Sequence, residues 1–152
     1  MANHFYDTSA AAKHYRAELG TATIDGLLAD SASRHYLSTL GVLELHSVFA
    51  RLARMGQITP VEFHRLRSRL LADVASGPWQ IVQLTQADYQ QAQQLLVQHG
   101  PARSVRTLDV LQLAVALALR AVTPVDDFVC ADANLCLVAA AEGLSVINLE
   151  VP

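Results

Sequence analysis

The chain has 152 residues, the size of a single domain, and 52% of them are apolar, enough for one sizeable core. A formal charge of −3 and a single lysine, Lys13, exclude a general attraction for a polyanion, so any nucleic-acid role must rest on a local basic patch or a bound cation. The most apolar stretch, Val110 to Val122, is broken by Gln112 and Arg120 and is shorter than the ~20 residues that span a bilayer, which excludes a membrane helix there.

In chain order, Asn3 to Tyr6 reads as a brief strand and Thr8 to Leu19 as a helix. A second helix over Ile24 to Ser31 leads to a short strand at Tyr36 to Ser38. Leu40 to Met55 repeats Leu45, Val48, Phe49 and Leu52 at helical spacing, with Gly56 just past its end. Thr59, Pro60 and Glu62 then supply a hydroxyl cap, a first-turn proline and a capping-box acid for a helix running to about Ala75. Gly77-Pro78 precedes a strand at Trp79 to Leu84, and Thr85 with Asp88 opens a helix that Gly100-Pro101 closes. Thr107 to Ala121 is apolar almost all round, as in a helix buried on most sides. Phe128 to Ala131 reads as a strand, Ala133 to Glu142 as a helix ended by Gly143, and Ser145 to Leu149 as the last strand. This alternation predicts one domain over residues 1–152, with a parallel sheet covered by helices on both faces. Ligands of such sheets bind beyond the C-terminal ends of the strands.

The N-terminal residues carry Asp7 and lack both a basic region and a long apolar run, so they do not read as a signal peptide. Cys130 and Cys136 form no CxxC pair and read as two buried thiols in a reducing cytosol. The expectation is a soluble, cytoplasmic protein.

Four acids stand where packing alone favours something else. Asp7 and Asp132 each follow a strand, Glu44 lies in an apolar helical turn, and Asp109 lies in the first turn of the most apolar helix. Burying one carboxylate is costly, and gathering several adds a repulsion that a cation or basic partners must offset. Mg²⁺ and Mn²⁺ prefer hard oxygen ligands, so a carboxylate cluster at this sheet edge suits phosphodiester chemistry with a divalent ion. Each acid also has a plainer reading. Asp7 and Asp132 are good helix N-caps, Asp109 suits a helix dipole, and Glu44 could pair with Arg51 or Arg54 or face solvent.

The motifs Tyr6-Asp7-Thr8-Ser9-Ala10, Thr39-Leu40-Gly41-Val42-Leu43-Glu44-Leu45, Thr107-Leu108-Asp109-Val110-Leu111-Gln112-Leu113-Ala114 and Phe128-Val129-Cys130-Ala131-Asp132-Ala133-Asn134-Leu135 follow one another in the order and spacing of the PIN-domain family. The chain resembles that family over essentially its whole length, and most resembles its VapC-like toxins. The resemblance implies a three-layer α/β/α fold with a five-stranded parallel sheet of order 3-2-1-4-5. It implies a Mg²⁺- or Mn²⁺-dependent endoribonuclease cleaving single-stranded RNA by metal-activated water, dimeric and held inactive by a small antitoxin. By position, Asp7, Glu44, Asp109 and Asp132 would hold the metal, with Ser9 and Asn134 in support. Cys130 departs from the pattern, standing where a hydroxyl residue is more usual.

Among basic residues, Arg103 and Arg106 precede the Asp109 helix and, with Lys13, are the candidate substrate-phosphate contacts; exposed surface charge is an equally good reading of Lys13. The run His64–Arg69 reads either as a solvated helix face or as an RNA or antitoxin contact. The six histidines show no HExxH or paired-ligand spacing, which argues against zinc, and His46 reads as structural. GxSxG, GxGxxG and P-loop patterns are all missing. Dimerisation is expected from the apolar stripe Phe63, Leu66, Leu70 and Leu71, the other reading being that this stripe faces the core. Two other readings stay open: a PIN-like module that binds RNA or protein without cutting, and a processing nuclease that is not a toxin.

Overall fold

A computed structural model describes residues 1–151 and places them in the order β1 (Asn3–Tyr6), α1 (Thr8–Tyr15), α2 (Thr21–Ala29), β2 (Arg34–Ser38), α3 (Thr39–Arg54), α4 (Pro60–Ser76), β3 (Trp79–Val82), α5 (Gln86–His99), α6 (Thr107–Arg120), β4 (Asp127–Cys130), α7 (Ala133–Ala141) and β5 (Val146–Asn148). The strands form one parallel sheet in the order β3-β2-β1-β4-β5. All four residues of β1 are buried, as befits the central strand of a sheet covered on both faces.

Alternation along the strands divides the interior in two. Phe5, Tyr36, Phe128 and Cys130 face a core completed by α5, α6 and α7. Tyr6, Leu37 and Val129 face a second core completed by α1, α2, α3 and α4. Neighbouring residues of one strand therefore serve opposite layers, the period-2 rule of an extended chain.

The first corner differs from the sequence expectation. Helix α1 ends at Tyr15 and α2 begins at Thr21, after Gly20 turns the chain at φ 92°. A Cβ at Gly20 would sit 2.8 Å from the Leu149 carbonyl oxygen, so this turn needs glycine twice over. The Thr21 hydroxyl accepts from the Glu18 N–H at 2.9 Å and donates to the Lys13 carbonyl at 2.8 Å, which closes the corner. The capping box predicted at Thr59 and Glu62 is present in full.

One further expectation is corrected and another is narrowed. Cys130 and Cys136 are joined as a disulfide rather than standing as separate thiols. The short connection from β4 into α7 brings their Cα atoms to 6.3 Å, within bridging range. The stripe on α4 turns mainly toward the core, the second of the two readings it allowed. Leu70 is fully buried, Phe63 and Leu66 pack on the second core, and only Leu71 is exposed.

Leu70 is the one fully buried residue of α4, so it anchors that helix. Leu70→Ala should lower stability by about 2–5 kcal/mol, whereas Leu71→Ala should change it by less than about 1 kcal/mol. Urea unfolding with an unchanged m-value checks both. Equal effects at the two positions would contradict the inward orientation of the stripe.

Candidate active site

β1 and β4 end side by side, and the residues just beyond them form the floor of a cavity of about 950 Å³. Asp7 follows β1, and its own N–H continues the ladder to the Val129 carbonyl at 3.0 Å. Its carboxylate caps α1. The Ser9 N–H donates to Oδ2 at 3.1 Å and the Ser9 hydroxyl at 2.6 Å. Ser9 Oγ in turn accepts from the Ala131 N–H at 3.0 Å, tying the Asp7 carboxylate to the start of the β4–α7 connection. Both donors fall on Oδ2, and among the described residues none reaches Oδ1.

Capping and site chemistry therefore coexist, because a carboxylate has two oxygens. Asp132 repeats the arrangement at α7. Its Oδ1 accepts from the Leu135 N–H at 2.9 Å, while its Oδ2 lies 4.0 Å from Arg106 Nη2. Asp109, buried in the first turn of α6, accepts from Arg106 Nε at 3.1 Å through Oδ2. Glu44 sits on α3 and pairs with neither Arg51 nor Arg54. Its Oε1 accepts from the Thr8 hydroxyl at 3.1 Å and from the Gln112 amide at 3.0 Å.

Burial first, then the charges of Asp109 and Glu44, push the Asp7 carboxyl up to about 7, against the lowering effect of the Ser9 hydrogen bonds. The Arg106 guanidinium is held still more firmly protonated, first by its hydrogen bond to Asp109 and then by the charges of Asp109, Asp132 and Asp7. Its side chain is 75% exposed, so it reaches the carboxylates from solvent and is free to leave them.

Asp7, Glu44, Asp109 and Arg106 all line the cavity. Asp132 meets the group only through Arg106. Among the described residues no three His, Cys, Asp or Glu side chains are gathered as a ready metal cage. The donor set is nevertheless all hard oxygen, and Mg²⁺ ordinarily takes only one or two carboxylates plus waters and phosphate. Burial first, and then the repulsion from Asp109 and Glu44, disfavour the Asp7 charge, and a cation would offset both, so the residues fit a divalent ion.

The remaining candidates divide. Lys13 lines the cavity, yet its side chain is 5% exposed and its Nζ lies 2.9 Å from Glu150 and 3.5 Å from Glu18. It is a buried, paired cation and not the surface charge that sequence allowed. Arg103 is exposed in the loop before α6 and does not line the cavity. Asn134 is half-buried and makes no side-chain hydrogen bond among the described residues. Of the His64–Arg69 run, Arg69 lies 5.0 Å above the Tyr15 ring and contacts His14 Nε2 at 3.2 Å. His46 Nδ1 lies 2.8 Å from the Val42 carbonyl oxygen, a local structural bond as expected.

Thr8 and Gln112 were missed as site residues. The available signal was Gln112 itself, an uncharged polar residue one helical turn beyond Asp109 in an apolar helix, since buried polar groups must find partners.

The PIN domain family model matches residues 5–140. Among solved structures, the chain is similar to VapC20 of Mycobacterium tuberculosis at 20% identity, covering 95% of this chain and 98% of that one with a TM-score of 0.70. It is similar to FitAcB of Neisseria gonorrhoeae at 20% identity, 98% and 99% coverage and a TM-score of 0.67. VapBC2 of Rickettsia felis follows at 15% identity, 96% and 98% coverage and a TM-score of 0.65. No curated protein matches the sequence.

The raised Asp7 carboxyl has a consequence for stability. Between its unfolded value near ~4 and about 7, the folded chain keeps a proton that the unfolded chain loses, so stability falls as pH rises through that window. In EDTA, Asp7→Asn should remove this slope and raise the unfolding temperature at pH 8 by roughly 5 °C or more, with a smaller gain at pH 5. Parallel wild-type and variant curves in thermal unfolding would contradict the burial and repulsion described for Asp7.

Proposed function

Because the chain belongs to the PIN-domain family, we propose that it is a Mg²⁺- or Mn²⁺-dependent endoribonuclease for single-stranded RNA, the toxin of a toxin–antitoxin pair. The observation that carries this reading is the buried Asp7, coupled to Asp109 and Glu44 at the end of the central strand. The similar M. tuberculosis protein is described as a sarcin–ricin-loop-cleaving toxin, and the R. felis one as a complex bound to promoter DNA. These descriptions support a loop of ribosomal RNA as substrate class and a small DNA-binding antitoxin as partner, and the reading takes the cytoplasm as the place of action. The reading includes a homodimer.

Asp7 and Asp109 would hold the cation, with Glu44 and Asp132 at its margin. Bound there, a divalent ion offsets the carboxylate repulsion, acidifies water and neutralises charge growing on the phosphate. The protein's own side chains supply the rest. Ser9 fixes the rotation of Asp7 through its two hydrogen bonds. Glu44, with Oε1 occupied, offers Oε2 to orient the attacking water and take its proton. Arg106 leaves Asp109 to meet the substrate phosphate, a bidentate task suited to a guanidinium, and Arg103 extends that contact along the strand. Lys13, already paired with two glutamates, contributes through the shape of the cavity wall and not through free charge.

Metal-dependent cleavage of a mixed single-stranded RNA pool tests this directly. Asp7→Asn and Asp109→Asn should each lower cleavage by at least about 100-fold while the fold persists, since even outer partners of a metal site cost 10–100-fold. Undiminished cutting by either variant would reject the assignment. The second reading is a PIN-like module that binds RNA without cutting it. Mn²⁺ and RNA binding by wild type without cleavage would select it.

A further inference from the structure

We infer that Gln112 is a positioning residue for Glu44, fixing which carboxylate oxygen faces the cavity; this rests on the nuclease reading above. Gln112 is fully buried in α6 among Val110, Leu111, Leu113 and Ala114, where an apolar side chain would pack at lower cost. Its amide is instead matched at both ends. The carbonyl oxygen accepts from the Ser38 hydroxyl at 2.6 Å, while Nε2 donates to Thr8 Oγ1 at 2.9 Å and to Glu44 Oε1 at 3.0 Å. One side chain thus joins α6 to α1 and to both the cap and the body of α3.

The orientation of that amide follows from its neighbours. Ser38 Oγ already accepts from the Gly41 N–H at 2.9 Å, so its proton is the one left for Gln112. Turning the amide over would set its carbonyl against the Glu44 carboxylate. Gly41 leaves the space: a Cβ there would come 2.7 Å from Leu37 Cδ1 and 3.3 Å from Gln112 Nε2. Satisfying Ser38 needs only one acceptor. The two donated bonds toward Thr8 and Glu44 are what a purely structural role leaves unexplained.

The chemistry of the donors is the deciding point. A lysine or arginine beside Glu44 would neutralise it and compete with a metal ion. Gln112 and the Thr8 hydroxyl are uncharged, so they hold Oε1 in place and leave the negative charge available.

The test uses the full chain, with Mn²⁺ affinity by calorimetry and RNA-cleavage kinetics as readouts. Gln112→Leu, and Gln112→Asn, whose amide is one methylene too short, should each weaken Mn²⁺ binding by about 10–100-fold. Each should lower kcat with little change in KM. In a Glu44→Gln background, Gln112→Leu should alter Mn²⁺ affinity by less than about two-fold, because the partner it acts through is gone. If Gln112→Leu does not fold, Gln112→Asn and Thr8→Val carry the same comparison. Variants that lower the unfolding temperature yet bind Mn²⁺ like wild type would overturn the positioning role and leave the nuclease reading standing. So would an undiminished effect in the Glu44→Gln background. Wild type that binds no Mn²⁺ would overturn both.

Discussion

A carboxylate buried at the end of the central strand is the constraint around which this molecule is arranged. β1 is covered on both faces and delivers Asp7 where solvent cannot screen it. The immediate response of the structure is local. Ser9 supplies two hydrogen bonds to one oxygen and is itself anchored to the β4–α7 connection. Those bonds lower the carboxyl only part of the way, because burial and the charges of Asp109 and Glu44 act in the opposite direction. Such a conflict, kept in the folded state, marks this carboxylate as the candidate for function.

The positive charges nearby are divided by their surroundings. Lys13 is buried and committed to Glu18 and Glu150, so it is fixed in place. Arg106 is exposed and lies between Asp109 and Asp132, available to exchange carboxylate for phosphate. The chain's net negative charge makes this local distribution decisive, since bulk attraction for RNA is lacking. Behind the carboxylates stands a neutral network of Ser38, Thr8 and Gln112, which orders Glu44 without cancelling its charge.

Much of this was legible in the sequence. Strand–helix alternation pointed to the parallel sheet, and the resemblance carried by the in-order motifs implied its strand order. The caps at Asp7, Thr59 and Asp132 were readable because capping is a local interaction. What escaped depended on contacts between distant segments. Gln112 looked like a flaw in an apolar helix because its partners lie 68 to 104 positions away. Lys13 looked exposed because Glu150 comes from the far end of the chain. The α4 stripe could not be assigned to core or interface until the sheet behind it was known, and the proximity of Cys130 to Cys136 required the tight turn out of β4.

The most direct test of the account is the number of protons released when Mn²⁺ binds, measured by calorimetry in buffers of different ionisation enthalpy. With Asp7 pushed up to about 7, binding at pH 7 should expel about half a proton, more at pH 6 and almost none at pH 8.5. Asp7→Asn should abolish the pH dependence of the release. Mn²⁺ binding with no proton release at any of these values, or no binding at all, would contradict the claim that this buried carboxylate is the cation's ligand.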